Sequence, residues 1–266
     1  MAAPQAEDPT AGIAAPSADG SLAMTLLPTV LSLIAGSVDV ISFLGLGGLF
    51  AAHITGNLAL LTAHVVSGHP APLAMLLSVP VFMAMVGLTR LLAGCLEAIG
   101  IATLQPLLLL QFLLLTGFLA LCVAAGPRID PSAARTVLAG MLGVAAMAVQ
   151  NALVQISLKD APPTAVMTSN VTRFMMDVGE LMLGRGFAGA TKTRDRVKQT
   201  GRAIVGFAAG CGLGAACQVA FGFWSLALPA GLALLAMAMA LHPSAARGHW
   251  LVPIVSKRTA SRPTRP

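Results

Sequence analysis

Charge is what this chain has least of. Only 10% of its 266 residues are Asp, Glu, Lys or Arg, whereas 56% are hydrophobic. A soluble globular domain carries about 25% charged residues, so this scarcity excludes a water-covered surface. The mean hydropathy of +0.84 points the same way. Basic residues are almost absent from the first 126 positions, where Arg90 stands alone; the rest lie at Arg128 or later, mainly in Arg185–Arg202 and in Arg247–Arg265. A net charge of +6 placed this unevenly argues against nucleic-acid binding and for basic segments flanking apolar spans.

Cysteine is also sparse. Cys95, Cys122, Cys211 and Cys217 each lie inside an apolar stretch and none has CxxC spacing. They read as small apolar side chains within helices rather than metal ligands. Soluble catalytic signatures are missing too: no P-loop, no GxGxxG after a strand, no HExxH and no GxSxG elbow. No enzyme activity, cofactor or metal is therefore expected. No basic region precedes the first apolar run, so the N-terminus does not read as a cleaved signal peptide.

What is present is apolar sequence in long runs. Eight segments can be drawn, at about 24–47, 49–67, 71–96, 104–125, 134–157, 164–184, 203–222 and 224–242. A bilayer span needs roughly 20 mostly apolar residues, so the chain reads as an all-α, polytopic transmembrane helix bundle of six to eight segments. Residues 1–21 read as a disordered acidic leader and 243–266 as a disordered basic tail. Segments two and six are the least apolar. If both cross, eight spans put the Arg185–Arg202 loop, the Arg128–Arg135 loop and both termini in the cytoplasm. If neither crosses, six spans remain and the Arg128–Arg135 loop moves outside. Eight is the preferred count. Gly206, Gly210 and Gly214 recur every fourth residue in segment seven, a spacing that lets helix backbones approach closely in lipid.

The chain also repeats itself. His53-Ile54-Thr55-Gly56-Asn57 opens segment two and Met167-Thr168-Ser169-Asn170 opens segment six. Each follows a long helix with polar residues inside it, Asp39 in the first case and Gln150-Asn151 in the second. This predicts two tandem repeats, 22–126 and 134–242. Four spans per half would make them parallel and three would make them inverted.

On these residues the chain resembles a known family. Gly36-Ser37-Val38-Asp39, Ile41-Ser42-Phe43-Leu44 and Thr55-Gly56-Asn57, with Gln150-Asn151 and Met167-Thr168-Ser169-Asn170, are similar to the YoaK-type bacterial membrane proteins, a domain of unknown function. Ser169 departs from the glycine common there, and Arg173 has no counterpart in the pattern. The resemblance implies the architecture and a bacterial inner-membrane location, and brings no activity with it.

Polar groups at membrane depth are costly, so their positions matter. Asn170, Arg173, Asp177 and Glu180 share one helix face, which lets Arg173 pair with Asp177. His53, Asn57 and His64 form a second stripe. Asp39, His53, Thr55, Asn57, Gln150, Asn151, Thr168, Asn170, Arg173 and Asp177 are the candidate substrate-binding residues. The function they point to is a small-solute permease with a polar site at mid-depth between the repeats; the alternative is a membrane scaffold whose polar residues only pack helices. The partners expected are the lipid bilayer and an unidentified small solute or ion, with a homo-oligomer left open.

Overall fold

The computed structural model describes residues 18–70, 72–126, 130–183 and 190–241. The tail, and the leader up to residue 17, lie outside them, as do Arg128 and Arg185. Eight α-helices follow in order among the described residues: α1 (Ala18–Gly45), α2 (Ile54–Val66), α3 (Leu73–Ala98), α4 (Leu104–Ala125), α5 (Ala134–Ser157), α6 (Met167–Met182), α7 (Ala190–Phe221) and α8 (Ala227–Ala240), with a 3-10 turn at Gly222–Leu226. No strand occurs among them.

Five stretches are long and apolar enough to cross a membrane: 22–45, 73–98, 104–125, 134–157 and 191–240, the last containing α7, the 3-10 turn and α8. Their outward faces carry large apolar side chains such as Met83, Leu91 and Val219. A soluble monomer does not expose apolar surface on this scale, and lipid is the solvent that suits it. Helix α5 is the reverse case, an Ala- and Gly-rich helix buried over most of its length between α3 and α4.

Contacts fix the direction of each helix. Gly206, Gly210 and Gly214 of α7 sit on Thr29, Leu33 and Ser37 of α1. The two numberings rise together, so these helices are parallel. Gly117 and Gly143 tie α4 to α5 through Leu142 and Phe118, and Thr103 bonds Ser157 at the far end, so α4 and α5 are antiparallel. Gln105 reaches the carbonyl of Ala240, and Phe223 lies on Gly45. One end of the bundle therefore holds the C-termini of α1, α4 and α7, here the Gly45 end. The other holds the C-termini of α5 and α8, here the Ala240 end.

It follows that α2 and α6 do not cross. Helix α1 ends at the Gly45 end, and α3 starts there, with Met75 against Gly48. Helix α2 lies between them, so it returns to the end it came from. Helix α5 ends and α7 begins at the Ala240 end, and α6 between them does the same. Length agrees. The 13 residues of α2 and the 16 of α6 span roughly 20 and 24 Å at about 1.5 Å per residue, short of a ~30 Å hydrocarbon core. The expectation of eight full spans is thus corrected by two re-entrant helices.

The reason is local. Gly47 and Gly48 adopt φ of +68° and +88°, a left-handed conformation that only glycine takes at low cost. They end α1 and make the apolar residues Leu49–Ala52 an irregular, bent lead-in rather than the first turns of a helix.

A second correction concerns the basic segment. Its described part is not a loop, because residues 190–202 form the first turns of α7. At the start of α5, Asp130 accepts hydrogen bonds from the Ser132 hydroxyl and amide, which hold its carboxyl below the usual carboxylate range.

Candidate functional site

Each re-entrant segment reaches interior depth and is held there by a polar residue of a long helix. In the first, Asp39 of α1 is 3% exposed. Its Oδ1 accepts the amides of Ala52 at 2.8 Å and His53 at 3.2 Å, and its Oδ2 lies 2.6 Å from Nδ1 of His53. An ionised carboxylate only accepts, so Nδ1 carries the proton in this arrangement. The His53 ring rests between Phe50 and Phe207, with 37% of its side chain exposed.

In the second, Gln150 of α5 does the holding. Its Nε2 donates to Thr164 Oγ1 and to the carbonyl of Leu31, each at 2.9 Å. Its Oε1 accepts from Nε2 of Gln111 on α4 at 2.7 Å. Leu31 and Asp39 lie eight residues apart on α1, about 12 Å along its axis. The two segments therefore reach the interior from opposite ends, at points about 12 Å apart along α1.

The two asparagines act as staples. Asn57 accepts the amide of Phe50 at 2.9 Å and donates to its carbonyl at 2.7 Å, which uses both ends of its side-chain amide. Asn170 donates to the carbonyl of Pro163 at 2.6 Å, also seven residues upstream. Proline has no N–H, and Oδ1 of Asn170 is left buried without a partner. Pro163→Ala restores the missing donor. It should raise the melting temperature: satisfying a buried acceptor recovers about 1–3 kcal/mol, against about 0.4–1 kcal/mol of chain stiffness lost with the proline. A melt of the purified variant below that of the wild type would show that the orphaned oxygen faces elsewhere.

The remaining candidates are spread out. Thr55 and Thr168 are exposed on the first turns of α2 and α6. Asn151 bonds the carbonyl of Met147 one turn back. Arg173 is exposed and Asp177 is buried, and the expected pairing between them is corrected. Asp177 instead takes a two-pronged bond from Arg196 of α7, with Nη2 to Oδ1 at 2.6 Å and Nε to Oδ2 at 3.2 Å. A fork of this kind is stronger and more directional than a same-helix pair.

Gln111, Thr164 and Arg196 are the site residues that sequence reasoning missed. Gln111 had a signal, as one of two polar interruptions in the plainest apolar run; Thr164, in the lead-in to α6, and Arg196, on α7, had none in their own stretch of sequence.

Among the described residues no three His, Cys, Asp or Glu side chains group closely enough to hold a metal. A cavity of about 630 Å³ opens at the Gly45 end beside Gln218, Phe221 and Trp224. It includes neither polar cluster.

Apolar crossing helices with two short, polar-anchored helices folded back into the bundle define an all-helical integral membrane protein. The family model described as "Protein of unknown function (DUF1275)" matches residues 27–239. The chain belongs to that family, as its resemblance to the YoaK-type proteins implied. No curated protein and no solved structure matches it.

Proposed function

We propose that this protein is a permease for a small solute, and not an enzyme, built from two inverted halves of three crossings and one re-entrant helix each. The observation that carries this reading is the pair α2 and α6. They begin at interior depth, approached from opposite ends, each behind a polar anchor and each with an exposed threonine, Thr55 or Thr168, on its first turn. Broken helices whose N-termini start near the midplane are how many transporters present backbone dipoles to a solute.

The packing pattern supports the duplication. Exchanging each helix for the one four places on turns α1–α7 into α5–α3, α1–α8 into α5–α4 and α2–α3 into α6–α7, and all of these pairs are in contact. Lys192, Arg194, Lys198 and Arg202 line the start of α7 at the Ala240 end. The excess of basic residues makes that end cytoplasmic, and with six crossings both termini lie there, in a bacterial inner membrane.

The test uses the full chain in proteoliposomes, challenged with a panel of amino acids, polyols and alkali cations while solute-induced currents and uptake are recorded. A panel member should move. Thr55→Val and Thr168→Val should each slow it roughly fivefold, the worth of one lost hydrogen bond of about 1 kcal/mol, with melting temperature unchanged. Absence of flux and of ligand-induced stabilisation across the panel would leave a packing role as the function. In the same reading, a reporter inserted at Pro131 faces outward and one fused after Leu241 faces the cytoplasm.

A further inference from the structure

The two anchors are chemically unequal. Gln150, Gln111 and Thr164 are neutral at any physiological pH, whereas Asp39 and His53 can both exchange a proton. Their burial is unequal too, since the carboxylate is sealed at 4% side-chain exposure while the imidazole next to it is 37% exposed. We propose that Asp39 is the site of a coupling proton and His53 its relay, and that protonation loosens the α2 segment from α1. This rests on the permease reading and names the ion that drives it.

The geometry permits a balanced transfer. His53 Nδ1 is engaged with Asp39, so Nε2 is the nitrogen left to accept a proton. Uptake at Nε2 makes an imidazolium. The Nδ1 proton then passes across the 2.6 Å contact to Oδ2, leaving a neutral carboxylic acid and a neutral imidazole protonated at Nε2. One proton has entered and one negative charge is gone. The amides of Ala52 and His53 then face a neutral acid, and such bonds are about half as strong as charge-assisted ones.

The surroundings suit this. From α1, the Ser42 hydroxyl bonds the Asp39 carbonyl, not its carboxylate. From α2, Asn57 is fully occupied by Phe50. From α7, Phe207 covers one side of the ring, and the backbone of Cys211 packs against Gly36 one turn below Asp39. Among the described residues the one ion pair that involves Asp39 is with His53, and no Lys or Arg side chain pairs with it.

The experiment needs no solute. The full-length protein in lipid nanodiscs is taken from about pH 8 to about pH 5, the range over which imidazole changes charge. Infrared difference spectra and amide hydrogen exchange are recorded at each step. Acidification should produce a carboxylic-acid band that Asp39→Asn lacks. In step with it, exchange in residues 46–57, corrected for its intrinsic pH dependence, should accelerate about fivefold, the equivalent of about 1 kcal/mol of lost bonding. His53→Gln keeps the carboxylate and should shift the midpoint of the band. A wild-type spectrum without the band, or a band without faster exchange, overturns the proposal. A midpoint unmoved in His53→Gln overturns the relay. If band and exchange respond while the solute panel gives no flux, coupling falls together with the permease reading and Asp39 is a proton site only. If the panel gives flux but Asp39 stays ionised, the permease stands and the proton site falls.

Discussion

Gly210→Leu should yield no folded protein, the largest single-residue effect expected here. A Cβ at Gly210 would collide with the carbonyl oxygen of Leu33, and one at Gly36 with the carbonyl oxygen of Phe207. At Gly206 and Gly214 it would come within 2.8 Å of Thr29 O and 2.9 Å of Ser37. Helices α1 and α7 thus touch backbone to backbone over about two turns, through three glycines of α7 and one of α1. Overpacking a core of side chains costs about 1–3 kcal/mol because side chains can shift. A main-chain carbonyl in a helix cannot shift unless the whole helix does. Separating α1 from α7 would also pull Phe207 off His53, and a loss above about 4 kcal/mol follows. Gly210→Ala should already lower the melting temperature clearly. Gly212→Ala is the control: its Cβ would meet nothing within 4 Å and helix propensity favours alanine, so it should be neutral or stabilising. Fluorescence-detected size exclusion and thermal melts decide the matter. A monodisperse Gly210→Leu protein at wild-type yield would mean that the two helices are not in close contact.

The glycines were legible because small residues every four positions have one common use in lipid. The membrane class was legible for a similar reason: runs of about 20 apolar residues have few other homes. Asp39, Asn57, Gln150 and Asn170 also stood out, since a polar group within an apolar run needs a partner. What composition could not reveal was that α2 turns back. Residues 49–53 are as apolar as the helix that follows, and the segment drawn at 49–67 looked long enough to cross. Only the glycine break at Gly47–Gly48, the capture of this stretch by Asp39 from α1 and the local staple from Asn57 keep it out of a helix, and a hydrogen-bond partner is not readable from composition. The same limit explains Arg173. Helical spacing sees neighbours three or four residues away, whereas the partner Asp177 takes comes from α7, 19 residues further on. The staples were half visible. Both asparagines stand in the repeated motifs, whereas their partners, Phe50 and Pro163, are invisible because a backbone carbonyl leaves no mark in sequence.

Gln150→Leu should be the most damaging polar-to-apolar change in the bundle, and Gln111→Leu should partly rescue it. Gln150 is fully buried and joins α1, α4, α5 and the lead-in to α6 with one side chain. Leucine in its place strands the amide nitrogen of Gln111 and removes a partner from Thr164. Both sites are sealed from water, and an unsatisfied buried group costs about 1–3 kcal/mol. A total of about 3–4 kcal/mol is expected on that basis. Gln111→Leu alone should cost less. It leaves Oε1 of Gln150 unpaired but also removes the Oε1 of Gln111, which has no partner in the wild type. The double variant turns the α4–α5 contact into apolar packing and leaves no amide stranded there. It should be more stable than Gln150→Leu, which inverts the usual additivity of two destabilising changes. Average polar contacts between membrane helices are worth only about 0.6 kcal/mol, because a helix in lipid finds other partners when one is lost. Gln150 has no such freedom: its neighbours lie on elements whose positions are set by the glycine seam and the two re-entrant helices. Melts of the four proteins in one lipid give the coupling energy directly. Additive losses, or a Gln150→Leu protein as stable as Gln111→Leu, would show that the amides are not linked. Rescue of stability without rescue of solute flux would then assign the remaining Gln150 contacts, those to the Leu31 carbonyl and to Thr164, to holding α6 in its working position.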